Sequence, residues 1–238
     1  MEMTINTAII SWGIFWITYW VSGLLLTWKA HIDKVREISN LKEVCTVLFI
    51  NMFWTFLAVL LLFHLPLRAM TDSHIIIKLT LTYLLADCWF FHMHIMLHAA
   101  DLYRNLHKMH HKYRLPYALT ALYCTGYEVI FLNTFAGGLG IIIFQVPAPY
   151  VYIWFFLVAL NSVCSHSGYK FWILIDGSHE IHHTTNNKNY GFSPWFDMLY
   201  GTYYCASPPI VEEEEKEGKK EDSSLGNFPI DINSLKID

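Results

Sequence analysis

The stretch IIIKLTLTYLLADCWFFHMHIMLH, residues 75–98, decides the fold. It begins as an apolar run and ends in the spacing His94-x-x-x-His98. At about 1.5 Å per residue, a helix of this length reaches about 36 Å, slightly more than the hydrocarbon thickness of about 30 Å. The stretch therefore predicts a membrane-crossing helix whose two histidines lie on one face where the helix leaves the bilayer.

Two further histidine clusters follow this stretch, with a single histidine between them. In chain order, the second cluster is HKMHH at residues 107–111, the single histidine is His166 in HSGY, and the third cluster is in SHEIHH at residues 178–183. Side chains three and four residues apart share a helix face, so each cluster directs two or three imidazoles the same way. Neutral imidazole binds iron, zinc, copper and nickel well, whereas calcium and magnesium prefer oxygen ligands. The clusters therefore predict a site for a metal of the first kind.

The number of histidines indicates two metal ions rather than one. A zinc ion takes about four protein ligands, so nine converging rings are too many for one ion. If every histidine were an ordinary polar residue, three clusters with related spacing would be unexpected. The predicted ligands are His94, His98, His107, His110, His111, His166, His179, His182 and His183. The other histidines lie outside the clusters and are predicted not to bind metal: His31, His64, His74 and His92.

The composition is typical of a multi-span membrane protein. Of the 238 residues, 54% are hydrophobic and only 15% are charged, and the mean hydropathy is +0.32. The formal net charge of −4, partly set by the acidic run at 212–215, does not favour nucleic-acid binding. No C-x-x-C pair occurs among the five cysteines, which favours buried apolar roles over disulfides or metal binding.

Five apolar segments are predicted to be helices that enter the membrane, at about 7–28, 44–63, 75–97, 117–144 and 150–164. The first lacks a basic leading region and is interpreted as a retained span rather than a signal peptide. The fifth is short, so the last two form either full crossings or a hairpin within the bilayer. Lysine and arginine concentrate in residues 29–42, in residues 99–116 and near the C-terminus. This asymmetry places those regions and all the histidine clusters in the cytosol.

Two carboxylates inside apolar segments, Asp87 and Glu128, are candidates for a catalytic supporting role. Asp87 precedes His94 by seven residues and shares its helical stripe. A carboxylate within a span is costly and marks a candidate functional site. We predict that Asp87 accepts a ring N–H from a ligand histidine, and that both carboxylates balance the metal charge. A hydrogen bond from Asp87 to a neighbouring helix is the structural alternative.

These observations predict an all-α protein, a multi-span membrane helical bundle with a cytosolic helical cap that carries a histidine-rich dimetal site. Two N-terminal spans occupy residues 1–74, and a catalytic domain occupies residues 75–205. Residues 206–238 are charged and low in complexity, which predicts a disordered cytosolic tail that metal binding does not need. Asn161 or Ser162, about a turn before the lone histidine of HSGY, is predicted to offer a water-mediated contact.

The chain resembles the fatty acid hydroxylase/sterol desaturase superfamily over about residues 80–203. The matching features are the three cluster spacings in this order, Asp87 seven residues before His94, HSGY, and NYG followed by WFD and GT. HSGY and DGSHEIHH are most similar to the sterol-type branch. The resemblance implies an endoplasmic-reticulum enzyme whose histidines hold two iron ions, with zinc replacing iron in some recombinant samples. It also implies a bilayer lipid substrate that is sterol-like, oxidised with O2 and two electrons from cytochrome b5 or a reductase.

Two other functions are compatible with the residues. A zinc-dependent membrane hydrolase would use Glu180 of the third cluster as its base, although the spacing is not H-E-x-x-H and nine histidines exceed its needs. A non-catalytic metal transporter or sensor would place ionisable groups along the crossing path, whereas these histidines gather at one face. The residues do not distinguish hydroxylation from desaturation, because one oxidant can perform both.

Overall fold

The computed structural model describes residues 5–64, 73–171 and 177–204. All regular structure in these ranges is helical, which confirms the predicted all-α class. The predicted domain boundaries stay predictions, and the predicted tail at 206–238 lies outside the described residues. Five helices are long and apolar enough to cross a membrane: α1 (Ile5–Ile32), α2 (Leu41–Phe63), α3 (Ile75–Leu97), α4 (Gly126–Ile143) and α5 (Ala148–Ser165).

Large apolar side chains cover the outer faces of these helices. Ile76 at the start of α3, for example, is 78% exposed, and exposed isoleucine, leucine and phenylalanine side chains recur along α1 and α2. Such a surface is costly in water and stable in hydrocarbon. Together with the five apolar helices, it identifies an integral membrane protein.

The spans pack mainly in two pairs, α1 with α5 and α3 with α4. The second pair is held closest at Gly140, where an added Cβ would lie only 2.8 Å from the Cα of Thr82. Two buried cores result. One surrounds Tyr19 and Leu48 near the histidines' end of the bundle, and the other surrounds Ile141.

The fourth span begins later than the sequence predicts. We expected helix from residue 117, but α4 begins at Gly126, and Ala118–Leu122 forms a buried 3-10 turn. The Tyr19 hydroxyl and the Asn51 amide reach this region from α1 and α2 and donate to backbone carbonyls at 2.9–3.0 Å. Non-helical backbone is tolerated at this depth because other helices satisfy its polar groups.

Short helical segments form a cap beyond the C-terminal ends of α3 and α5. They are a π-helical turn at Tyr103–His107, a 3-10 turn at His110–Lys112, and two short helices, α6 (Ser178–Thr185) and α7 (Pro194–Tyr200). These segments carry six of the nine predicted ligands, and the other three lie at the C-terminal ends of α3 and α5. The cap therefore presents its histidines toward the end of the helix that carries His94.

Arg36, in the loop after α1, connects several segments of the cap. Its Nε donates to the carbonyl oxygen of Pro116 at 2.9 Å, and its Nη2 lies 2.5 Å from Oε2 of Glu180 in α6. The guanidinium also packs against Gly168, where φ is +81° and an added Cβ would lie 2.6 Å from Cζ. The α1–α2 loop and the histidine-bearing segments therefore share one face of the protein.

Candidate metal centre

The nine predicted ligands come together in two groups. The ligand atoms within each group lie within 4.8 Å of one another, and eight of the nine side chains are buried. The five-histidine group contains His94, His98, His107, His111 and His182. The four-histidine group contains His110, His166, His179 and His183. None of the other four histidines belongs to a group found in the described residues.

A regular rule divides the clusters between the groups. In each cluster the histidines four residues apart, such as His107 and His111, enter the same group. In the second and third clusters, another histidine lies three residues after the first. This histidine, His110 or His182, belongs to the opposite group. The two positions differ by about 100° around a helix, so one short segment can serve two adjacent sites.

Four nitrogen atoms of the five-histidine group form a closed ring. Nε2 of His107 lies 3.1 Å from Nε2 of His98 and 3.0 Å from Nε2 of His111. Nε2 of His182 lies 3.2 Å from the same two atoms. A square with an edge of about 3.1 Å has its centre about 2.2 Å from each corner, close to a metal–imidazole distance of about 2.0–2.1 Å.

The four-histidine group has similar spacing. Nε2 of His166 lies 3.1 Å from Nε2 of His179 and 3.3 Å from Nε2 of His183. A tetrahedral ion with bonds of about 2.0–2.1 Å has ligand atoms about 3.3–3.4 Å apart. The group therefore fits a second ion that has four imidazole ligands.

The remaining ring nitrogens show why a cation is required. Nδ1 of His94 lies 2.7 Å from the carbonyl oxygen of Tyr190, and Nδ1 of His182 lies 2.7 Å from that of Lys188. A carbonyl oxygen can only accept, so each Nδ1 carries the proton and each Nε2 presents a bare lone pair. Nε2 of His94 faces Nε2 of His107 at 3.0 Å. Lone pairs at this distance repel one another unless a cation lies between them, and a bound metal ion would supply that charge.

The carboxylate of Glu128 orients His107. Its Oε1 lies 3.0 Å from Nδ1 of the imidazole, and both side chains are fully buried. This contact assigns the proton to Nδ1 and leaves Nε2 for the metal, the arrangement typical of carboxylate–histidine–metal sites. Glu128 therefore lies where it can support a metal ligand.

Asp87 does not contact a ligand histidine, which corrects the predicted contact. Its Oδ1 accepts from the backbone N–H of Ser193 at 3.0 Å. The loop that contains Ser193 contacts both residues of the shared stripe, since Ser193 binds Asp87 and the carbonyl of Tyr190 meets His94. Asp87 holds this loop, and the loop in turn supplies the Tyr190 carbonyl that orients His94.

Asp197 has a supporting role that the sequence reasoning missed. Its two oxygens accept from the backbone N–H groups of Tyr190 and Gly191 at 2.8 and 2.7 Å, and from the hydroxyl of Thr202 at 2.7 Å. These bonds fix the carbonyl that His94 uses. The available signal was the WFD of the family resemblance, whose aspartate is this residue.

Burial keeps the ligand imidazoles neutral. Loss of solvation lowers the pKa of His98 to about 2, of His111 to about 3 and of His166 to about 4. Neighbouring imidazoles lower the pKa of His98 and His111 further, because each would repel a second positive ring. Neutral imidazole is the form that binds metal, so the site does not have to lose protons first at neutral pH.

An apolar cavity leads to the histidines from between the spans. Its empty space is about 1310 Å³, including the open mouth. Aromatic side chains from α1 and α5 line it, among them Trp16 and Trp154. Four histidines close its inner end: His94, His110, His166 and His179. A lipid that enters from the bilayer could therefore bring an apolar group to the metal ligands.

The other predicted residues lie as follows. His92 extends outside the groups, and its Nδ1 lies 2.7 Å from the carbonyl oxygen of Cys88. The carbonyl oxygen of Ser162 accepts from Nδ1 of His166 at 3.0 Å, so this residue orients a ligand through its backbone. Asn161 lines the cavity.

Comparisons with known proteins agree with this arrangement. The chain is 25% identical over 230 residues to the methylsterol monooxygenase erg25B of Aspergillus fumigatus, covering 86% of this chain and 76% of that protein. It is 28% identical over 228 residues to the C-4 methylsterol oxidase erg25 of Schizosaccharomyces pombe, covering 81% and 73%. It is 34% identical over 152 residues to the very-long-chain aldehyde decarbonylase GL1-11 of Oryza sativa subsp. indica, covering 58% and 56%.

No solved structure shows significant similarity to the chain. The sequence profile of the fatty acid hydroxylase family matches residues 79–202, just over half of the chain. The matched range contains most of α3, the segments of the cap and every histidine of the two groups. On this match, the protein belongs to the fatty acid hydroxylase family, whose sterol-oxidising members are among its relatives.

Proposed function

We propose that the protein is a di-iron oxidoreductase of the membrane that uses O2 and two electrons to hydroxylate or desaturate a sterol-like lipid. The observation that carries the proposal is the apolar cavity, which joins the space between the spans to both histidine groups. A soluble substrate would not need an entrance within the bilayer. The relatives named as methylsterol monooxygenases supply the sterol-like substrate class.

Iron is proposed from chemistry and from the family. Imidazole accepts both iron and zinc, so the ligands alone do not select between them. Attack on an unactivated C–H bond requires an oxidising power that side chains lack and that bound iron with O2 supplies. A preparation that contains zinc would therefore still be compatible with an iron enzyme.

The four-histidine group is proposed to be the side that meets the substrate. Three of the four histidines at the inner end of the cavity belong to it: His110, His166 and His179. It also has one protein ligand fewer than the other group, so an ion that expands beyond four ligands would have more room there. The five-histidine group is more enclosed by its own ligands.

The chain itself positions the lipid and excludes water. Aromatic and aliphatic side chains of the wall, such as Phe15 and Phe155, favour an apolar body over solvent. Glu128, the Tyr190 carbonyl and the Ser162 carbonyl hold ligand rings in one orientation. This fixed geometry is what allows one carbon of a flexible bilayer lipid to be selected.

The electron donor and the location complete the proposal. We infer a cytosolic cap, because the basic segments at 29–42 and 99–116 lie on its face of the protein. A cytosolic donor, cytochrome b5 or a reductase, would deliver the electrons there. The endoplasmic reticulum is the proposed membrane, since it holds both the donors and the sterol-like lipids that the family uses.

The proposal is tested with iron-loaded protein in lipid nanodiscs, a reductase, cytochrome b5 and 4-methylsterols under ¹⁸O2. Label in an alcohol product supports hydroxylation, whereas a new double bond with label only in water supports desaturation. The zinc-loaded protein is the matched control and should not consume O2. If iron-loaded protein changes no lipid and consumes no O2 above the donor background, the redox function is rejected and a zinc hydrolase becomes the better reading.

A further inference from the structure

Few polar side chains lie on the cavity wall, and nearly all of them form hydrogen bonds within their own helix. Thr55 donates to the carbonyl oxygen of Met52 at 3.0 Å. Ser162 and Ser165 each donate to a carbonyl one turn earlier in α5 at 3.0 Å. Such side chains have little capacity left for a ligand. The wall therefore offers mainly apolar contacts to a bound lipid.

Two wall residues other than the ligand histidines are exceptions. Oε2 of Glu128 has no hydrogen-bond partner among the described residues, although Oε1 of the same side chain holds the ligand His107. The other exception is Asn161. It lines the cavity, and within the described ranges no hydrogen bond to its side-chain amide is present. Asn51 in α2 shows the usual arrangement, since its amide donates to two carbonyls at 3.0 Å. An amide within a span that has no partner costs free energy, and such polar groups in spans commonly serve function. Asn161 thus has a donor and an acceptor that its own helix does not use, on a residue that lines the cavity.

The surroundings of the amide select the kind of group it would bind. No lysine or arginine is among the described residues of the wall, so a carboxylate or phosphate would enter without a counter-charge. A hydroxyl both donates and accepts, as the asparagine amide does. We infer that Asn161 hydrogen-bonds a hydroxyl of the lipid substrate and thereby determines substrate specificity.

The position of Asn161 limits where that hydroxyl lies on the substrate. Asn161 precedes the ligand His166 by five residues, which is about 7.5 Å along the helix axis. An asparagine side chain and one hydrogen bond together extend about 5 Å toward the substrate. Since Asn161 and His166 line the same cavity, the hydroxyl would lie in the part of the cavity that also holds the reacting carbon. This inference rests on the proposed function, and it favours a 3-hydroxysterol oxidised in its hydroxyl-bearing ring over a chain oxidised far from its polar end.

The test compares two ligands that differ only in the hydroxyl. A fluorescent polyene 3-hydroxysterol and its 3-deoxy analogue are titrated into full-length protein in nanodiscs, with energy transfer from the cavity tryptophans as the readout of binding. Wild-type protein should bind the hydroxysterol about tenfold more tightly, the effect of one hydrogen bond. Asn161→Leu, similar in volume, should remove this preference, while Val158→Ala, also on the wall, should weaken both sterols alike. Metal content reports that each variant is folded.

Equal affinity of wild-type protein for the two sterols, or a preference that persists in Asn161→Leu, would overturn the role of Asn161. The wild-type comparison stands even if the variant does not fold. Turnover is measured separately with a 4-methylsterol. If the protein turns over the sterol but binds the two sterols equally, this inference fails and the proposed function stands. If the protein prefers the hydroxysterol but consumes no O2, the proposed function fails and the role of Asn161 stands.

Discussion

His107 and Glu128 meet in the buried centre of the protein, with Nδ1 and Oε1 3.0 Å apart and neither side chain more than 1% exposed. One residue belongs to the cap and the other to α4, so the contact joins a metal ligand to a membrane helix. A carboxylate in this position both orients the ring and adds negative charge near an ion held by neutral ligands.

We expect Glu128→Gln to weaken metal binding at the five-histidine group by about 10–100-fold, the usual effect of losing an outer-shell carboxylate. The amide retains one acceptor but removes the charge. Competition with a chelator of known affinity measures the change. Asp101→Asn is the control, because the Asp101 side chain is 90% exposed and forms a surface pair with Arg104. Equal metal affinity in the two variants would contradict the role of Glu128.

The division into two groups predicts selective loss of one ion. His98→Ala should lower the ion retained by the five-histidine group, and His183→Ala should lower the ion retained by the other, each toward one metal per chain. His92→Ala is a close control, since His92 lies two residues from a ligand and outside both groups. Metal analysis of purified protein gives the stoichiometry. Two ions retained in all three variants would refute the ligand assignment.

The contacts of Arg36 predict that replacing it lowers the stability of the protein and loosens the metal ligands of α6. Arg36→Ala removes the hydrogen bond to Pro116 and leaves Glu180 without its partner, at a cost of about 2 kcal/mol. The Tm in detergent should therefore fall by several degrees, and the rate of metal release to a chelator should rise.

The control for Arg36 is Lys29→Ala near the end of α1. Lys29 forms an exposed pair with Asp33, and pairs of this kind contribute little. An Arg36 variant with the Tm and metal-release rate of the Lys29 variant would show that the buried guanidinium does not hold the cap together.

The close approach of α3 and α4 predicts that Gly140 cannot be enlarged. In Gly140→Ala the new methyl group would lie 2.8 Å from the backbone of Thr82, so the helices must separate, at a cost of about 1–3 kcal/mol. Gly13→Ala in α1 is the matched control, because an added Cβ there has no neighbour within 4 Å. Thermal unfolding of the two variants compares them directly; an unchanged Tm for both would show that α3 and α4 are less tightly packed.

Much of the architecture was predictable because its signals are local. Apolar runs of membrane length mark the spans, and histidines three and four residues apart mark the ligands. The start of α4 was not predictable in the same way. Residues 117–125 are apolar enough for a span, but their backbone is not α-helical. Distant side chains of α1 and α2 stabilise it, among them Tyr19, Thr27 and Asn51.

The division of the nine histidines between the two groups could not be predicted from the sequence either. Spacing places His110 and His111 on one broad side of a helix, but it does not show which of two adjacent groups each ring enters. Their assignment depends on where α6 and the end of α5 lie, which is a tertiary relationship. The role of Asp87 was misread for a similar reason, because its partner Ser193 is 106 residues away in sequence.

The two groups draw on the same two parts of the chain in opposite proportions. The five-histidine group takes four rings from residues 94–111 and one from α6, whereas the other takes one ring from the first part and three from residues 166–183. The ion of the five-histidine group would thus cross-link His111 and His182, which are 71 positions apart, and the other ion would cross-link His110 and His183. Closing a loop of that length removes about 4 kcal/mol of conformational entropy from the unfolded chain in the treatment used for disulfides. The first ion would bear most of that cost and the second would bind a chain already closed, so loading and loss of the two metals are coupled through the loop they share.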